Sequence, residues 1–267
     1  MTFNDYTLLR YMNEAPLALA FERALECRIY PHLPFERPIL DLGCGDGLFA
    51  GTLFREKIET GVDPDERSIE EARNSGIYEE VIACAGDGVP KPDGCYRTVF
   101  SNSVLEHIVD LKPIFQEVLR LLAPGGRFYF TVPSSSFCRY SFLNRVLTLA
   151  GLEGAAAGYR RLYNAFWRHY HDYPREEWVR QIKEAGFGVS TSWNYGSKRI
   201  VTMNDILVPF GILAYISRRF TNRWILAPPL RRLIIRPLHP LAEKWLRRGE
   251  KSEDGGLVFV AAEKSKQ

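Results

Sequence analysis

The stretch Pro38-Ile39-Leu40-Asp41-Leu42-Gly43-Cys44-Gly45-Asp46-Gly47 constrains this chain more than any other. An apolar run that ends in three alternate glycines reads as a buried strand turning directly into a ligand-binding loop. Glycine adopts positive φ without steric penalty and lets bare backbone approach a ligand, while the following helix presents unpaired amides. The loop is not a dinucleotide fingerprint, because the third glycine of G-x-G-x-x-G is replaced by Leu48. Asp41 would also set a carboxylate beside a pyrophosphate, which further disfavours NAD. A P-loop is excluded because no Gly-Lys-Ser/Thr follows.

An acid beside the loop suits a cationic ligand. S-adenosylmethionine (SAM) carries a sulfonium and an ammonium, which such a carboxylate can pair directly or through water. Further segments follow in order. Glu59-Thr60-Gly61-Val62-Asp63 is a short strand ending in an acid about 20 residues beyond the first glycine, the spacing at which a carboxylate meets ribose hydroxyls. Val81-Ile82-Ala83-Cys84-Ala85-Gly86-Asp87-Gly88 is an apolar strand closing on an acid. Val99 to His107 forms a fourth motif, and Leu121 to Phe130 gives a helix end, a Pro-Gly turn and an apolar strand. Singly, these glycines could form a plain turn, Asp63 a helix cap and Asp87 a loop residue; their joint order and spacing argue otherwise.

Over residues 36 to 133 this run resembles the class I SAM-dependent methyltransferases, specifically the small-molecule type-11 domain. The resemblance implies that Asp63 holds the ribose and Asp87 the adenine amino group. It further implies cofactor contacts at Asp41, Gly43, Cys44, Gly45, Gly47, Pro64, Gly88 and Asn102. One departure stands out: where the family has an aromatic-Asp pair entering the fourth strand, this chain has Tyr96-Arg97.

The expected fold is α/β, a doubly wound Rossmann-like sheet of seven strands, six parallel and one antiparallel, with helical insertions. The alternation supports it: strand 38–42, helix 47–56, strand 60–63, helix 66–74, strands 81–85 and 98–102, helix 110–122 and strand 127–132. A helix after Pro174, with that proline at its first position, ends at Gly186; strands at Val189 to Tyr195 and Gly256 to Glu263 complete the set. With 267 residues and 46% apolar content, one large domain can bury the core this requires. Residues 1–36 are expected to form an N-terminal helical lid. Residues 37–264 form the methyltransferase domain, interrupted by helical insertions at about 134–172 and 198–252.

Methyl transfer from a sulfonium mainly requires alignment and exclusion of water. An alcohol or phenol acceptor must still lose a proton, and oxygen is the expected acceptor atom. Histidine suits that task, and His107, just past the fourth strand, is the first candidate; a backbone-capping role is the alternative. Glu106 is ambiguous in the same way. His169, Tyr170 and His171 lie in an aromatic-rich stretch, 137–173, that either overhangs the substrate or packs as core. Five histidines show no i, i+4 pair with a third ligand, so no metal is expected. Five cysteines without a C-x-x-C pair, and a polar N-terminus without a signal-peptide pattern, point to a reducing, cytoplasmic setting.

Between Ile206 and Gly249 eight arginines and one lysine face a single acid, Glu243, so the basic charge of the chain is concentrated there. The uncharged run Ile206 to Ser217 looks too short to span a bilayer. Arginines interleaved with Leu230, Leu233, Ile234, Ile235, Leu238, Leu241 and Trp245 suggest amphipathic pieces in peripheral contact with an anionic membrane through residues 200–250. Internal packing and a dimer interface are the alternatives. Nucleic acid is disfavoured by the near-neutral whole chain and by Ser101-Asn102-Ser103-Val104 in place of an Asp/Asn-Pro-Pro-aromatic loop. The expected partner is a small, hydrophobic or lipid-linked acceptor; a non-catalytic SAM-fold module that binds membranes or partners is the competing reading.

Overall fold

The computed structural model describes residues 1–221, 224–247 and 252–266. Seven strands form one sheet: β1 (Ile39–Leu42), β2 (Ile58–Asp63), β3 (Tyr78–Ala83), β4 (Tyr96–Asn102), β5 (Leu122–Pro133), β6 (Gly188–Tyr195) and β7 (Leu257–Glu263). Their order is β3-β2-β1-β4-β5-β7-β6, with β7 antiparallel to both neighbours. The order reverses between β1 and β4, and the loops leaving these strands diverge to open a crevice at their carboxyl ends.

Helices cover both faces: α1 (Thr7–Glu14), α2 (Leu17–Ile29), α3 (Leu48–Leu53), α4 (Glu66–Ser75), α5 (Leu111–Leu121), α6 (Phe142–Leu149), α7 (Glu153–Trp167), α8 (Arg175–Glu184), α9 (Lys198–Thr221) and α10 (Pro228–Leu246). Local chemistry sets several ends. The Asp65 side chain accepts from Ser68 N at 2.9 Å to start α4, and Gly76 at φ 69° ends it. Asp110 caps α5 through Lys112 N at 3.1 Å. One face of the sheet buries Tyr30, Phe54, Phe100 and Phe259 with α2, rings meeting edge to face at 5.7–6.3 Å. The other buries Phe115, Phe128, Phe130 and Trp178 beneath α5 and α8.

Boundaries differ from the sequence expectation where pairing overrides pattern. Expected at 81–85, β3 starts at Tyr78 because it is an edge strand whose Glu79 and Glu80 face solvent and mask its apolar signal. The helix expected over 47–56 ends at Leu53, since Phe54 is extended and bridges Phe3. Expected at 127, β5 begins at Leu122, which pairs with Tyr96 across an irregularity. Pro174 caps α8 rather than opening it.

The largest difference lies between β6 and β7. The chain there forms two long helices, α9 and α10, the second running through Pro237 and Pro240. With 24 residues, α9 is long enough to cross a membrane by length and composition, because it begins eight residues before the uncharged run. Length therefore does not prevent this helix from spanning a bilayer. This helix packs along α2, however, and α10 packs on α1, where Arg231 Nε donates to Met12 O at 2.9 Å.

Trp178 is fully buried between Phe130, His171 and Tyr173, with ring centroids at 6.2, 5.9 and 5.3 Å. Replacing it by alanine leaves a cavity under α8, and Trp178→Ala is expected to lower stability by about 3–5 kcal/mol, read as a reduced urea midpoint.

Candidate active site

A cavity of about 800 Å³ opens at the carboxyl ends of β1, β2 and β4. Its floor is the glycine loop. Gly43 N and Cys44 N both donate to Val62 O, at 2.8 and 2.9 Å, which pins the loop to β2. Gly43 has φ 83°, and a Cβ there would lie 2.4 Å from Val104 Cγ2, so the close approach requires glycine. Gly45 has φ 52°, and a Cβ there would project into open space, leaving bare backbone on the cavity side.

The Asp63 carboxylate is held from both sides: Gly45 N donates to Oδ2 at 3.0 Å and Asp65 N to Oδ1 at 2.9 Å. Pro64, Asp87, Asn102 and Cys44 also line the wall, and Gly86 does so where Gly88 does not. Gly47 backs onto Ser75 and Tyr78, away from the cavity. Asp41 sits beneath the loop, 2% exposed, its carboxylate accepting from Tyr78 Oη at 2.7 Å. Burial pushes its pKa up to about 7 despite that hydrogen bond, and Asp63 adds to the rise.

The roof comes from the N-terminal helices, in the segment expected as a lid, and from the α9–α10 connection, which spacing did not single out. Tyr11, Leu19 and Arg23 line the cavity. Glu26, fully buried one turn along α2, accepts from Asn102 Nδ2 at 2.7 Å, Arg23 Nη1 at 2.8 Å, and Ser103 Oγ and Tyr195 Oη at 3.1 Å each. The sequence signal was present: Glu22, Arg23 and Glu26 interrupt the apolar run from Leu17 to Cys27. Beyond α9, Trp224 enters the wall and its Nε1 donates to Asp46 Oδ2 at 3.4 Å. The Arg218 guanidinium stacks 4.3 Å over that indole, lies 3.6 Å from Asp46 and pairs with Glu71.

His107 is the one proposed base on the cavity wall. Its Nδ1 lies 3.2 Å from Arg168 O, which can only accept, so Nδ1 carries the proton in that contact and Nε2 is left basic. Burial lowers its pKa. His169 stands beside it, ring centroids 5.3 Å apart, and burial depresses its pKa to about 4. Tyr170 is 55% exposed and reaches the site only through its backbone, which donates to Glu106 O at 2.8 Å. His171 is turned away, its Nε2 2.8 Å from Ile108 O and its ring against Tyr173. No residue of 137–173 lines the cavity, and Phe142, Leu149, Leu162 and Phe166 of that stretch are exposed.

Glu106 is 2% exposed, and burial pushes its pKa up to about 8. Its Oε2 has no hydrogen-bond partner. Ligand atoms of Glu106, His107 and His169 lie within 4.8 Å of one another. Spacing along a single helix could not reveal that group, because His169 arrives from a segment sixty-two residues away.

A methyltransferase-domain family model matches residues 9–192, well over half of the chain. The chain belongs to this family. The methyltransferase is 33% identical over 94 residues to an uncharacterized methyltransferase of Mycobacterium sp. (strain KMS), a match spanning 35% of this chain and 37% of that relative. It is 28% identical over 182 residues to a ubiquinone biosynthesis O-methyltransferase of Chromobacterium violaceum, covering 63% of this chain and 73% of the relative. Among solved structures, a SAM-dependent methyltransferase from Thermotoga maritima, described as a possible histamine N-methyltransferase, agrees in fold with a TM-score of 0.55 at 18% identity, covering 98% and 93% of the two chains. The expected fold and the methyltransferase assignment therefore hold, and a solved structure of the same fold, a geranyl diphosphate methyltransferase, was determined in complex with SAM.

Asp41 supplies a pH test. Its folded pKa is near 7 while an unfolded aspartate titrates near ~3.9, so the native state holds the extra proton between those values. Stability is then lost as pH rises through that window. Glu22 and Glu106 act in the same direction. Asp41→Asn keeps an acceptor for Tyr78 and cannot ionise. The variant should lose less stability than wild type between about pH 5 and pH 8, by roughly 1 kcal/mol or more in urea unfolding; equal losses would refute the assignment.

Proposed function

We propose that this methyltransferase moves the SAM methyl group to a hydroxyl of a small hydrophobic or lipid-linked acceptor at a membrane surface. The bare backbone at Gly45 and the pre-oriented Asp63 fit a nucleoside with a cationic tail. In this reading Asp63 accepts the ribose hydroxyls, Asp87 the adenine amino group, and Gly43, Cys44, Pro64 and Asn102 complete the cradle. Asp41 acts from beneath, fixing the loop through Tyr78 rather than touching the cofactor. SAM supplies an electrophilic methyl group whose leaving group is already activated.

What remains for the protein is alignment, exclusion of water and removal of a proton. Tyr11, Leu19 and Trp224 close the cavity on the side facing the N-terminal helices. His107 presents Nε2 at the wall, neutral at physiological pH because burial lowers its pKa, and so able to take an acceptor proton. Relatives named ubiquinone biosynthesis O-methyltransferase favour oxygen as the acceptor atom.

The observation that carries the membrane part is the position of Trp224. It belongs to the connection between α9 and α10, so the cavity wall continues into helices that expose Phe210, Phe220, Leu230, Leu233, Leu238 and Leu241. Arg232, Arg236 and Lys244 share α10 with this apolar surface, as an anionic interface requires. Contact at the cytoplasmic face follows from the same chemistry.

Flotation with phosphatidylglycerol-containing vesicles, alongside SAM calorimetry, tests both parts. Wild type should float with anionic but not zwitterionic vesicles, and less so at high salt. The double variant Leu233→Glu, Leu241→Glu should lose flotation yet bind SAM unchanged. Asp63→Ala should weaken SAM binding about tenfold or more while flotation persists. Equal flotation of wild type and the glutamate variant would rule out the membrane reading.

A further inference from the structure

A buried carboxylate oxygen with no partner is costly, because it has lost water and gained nothing. Glu106 Oε2 is such an atom, next in the chain to His107 of the cavity wall. Its other oxygen, Oε1, lies 3.9 Å from His107 Nε2. His169 brings a third donor from beyond α7, with all three ligand atoms inside a 4.8 Å circle.

The charge balance points the same way. Glu22, Glu26 and Glu106 are all buried here, and the cation facing them is Arg23, which lies 2.8 Å from Glu26 and 3.9 Å from Glu22. Glu26 is satisfied by four donors, whereas Glu106 is not.

We propose that Glu106, His107 and His169 form a divalent transition-metal site just behind the wall of the methyl-transfer cavity, reached through His107. One carboxylate and two imidazoles suit a borderline-soft ion such as Zn²⁺, and three protein donors leave a position for water or an acceptor oxygen. The hydrogen bonds that would orient these ligands are already in place. The Arg168 carbonyl receives the His107 Nδ1 proton, which fixes the tautomer and leaves Nε2 for the ion. The amide of Tyr170 donates to the Glu106 carbonyl, tying the two ligand-bearing segments together. His107 is half exposed to the cavity, which gives an ion a way in. Ligand–metal distances of ~2 Å require the three side chains to draw together by rotation about their χ angles.

The catalytic use of the site rests on the methyl-transfer reading. An ion there would acidify a bound acceptor hydroxyl; in the metal-loaded protein His107 Nε2 would be a ligand instead of the base, and the released proton would pass to solvent. The binding claim stands apart from activity.

The test is a Co²⁺ titration of chelator-stripped, full-length protein, followed by visible d–d absorption and by Zn²⁺ displacement. Wild type and the surface control His32→Ala should take up one equivalent. Glu106→Gln and His169→Ala should bind about tenfold more weakly or worse. SAM calorimetry on the same samples reports folding, with His169→Gln as a second variant if alanine impairs it. Wild-type binding no tighter than that of the folded variants overturns the site. Heat from SAM without metal uptake sinks only this inference, whereas metal uptake without heat from SAM sinks only the cofactor reading.

Discussion

Glu26 holds the roof of the cavity to its floor. It is an ionisable side chain with no solvent exposure, yet its four hydrogen bonds reach three parts of the site: Asn102 and Ser103 at the end of β4, Tyr195 at the end of β6, Arg23 on its own helix. Removing one partner of such a buried pair costs about 3–5 kcal/mol, because the charge left behind is uncompensated. The position of α2 over the sheet is therefore set by charge as well as by the packing of Tyr30 on Phe100. Since α2 in turn supports α1 and α9, the whole cover of the cavity inherits its placement from this carboxylate.

The floor was legible in the sequence for a local reason. A glycine loop between a strand and a helix, and acids at strand ends, are fixed by backbone conformation within a few residues, so spacing alone locates Gly43, Gly45, Asp63 and Asp87. Asp41 shows the limit of that logic. Its place in the motif suggested contact with a cation, but the direction of its side chain is decided by Tyr78, thirty-seven residues away. Position in a motif gave the neighbourhood, and tertiary packing chose the partner.

A lid from residues 1–36 was expected, but the part of the roof from α9–α10 and the Glu106 group were not legible because they are assembled from distant segments. Nothing in the spacing of His107 and His169 links them; only the path through α6 and α7 returns the chain to the end of β4. The edge strand β3 was misplaced for a related reason, since Glu79 and Glu80 on an open edge erase the apolar pattern that pairing with β2 does not need. Length misled in α9, where an uncharged run underestimates a helix whose first turns carry polar residues.

One physical link joins the apolar exterior to the chemistry. Arg218 lies on α9, stacks on Trp224, and reaches both Asp46 in the glycine loop and Glu71 on α4. A shift of α9 cannot occur without disturbing the indole in the cavity wall and the loop beneath it. Pairs of this kind, partly buried and joined in a network, are worth more than isolated surface bridges, whose contribution is about 0–1 kcal/mol. Seating the exposed faces of α9 and α10 on an interface would therefore bias the same side chains that close the cavity. The surface that locates an apolar acceptor and the wall that confines it are two sides of one pair of helices.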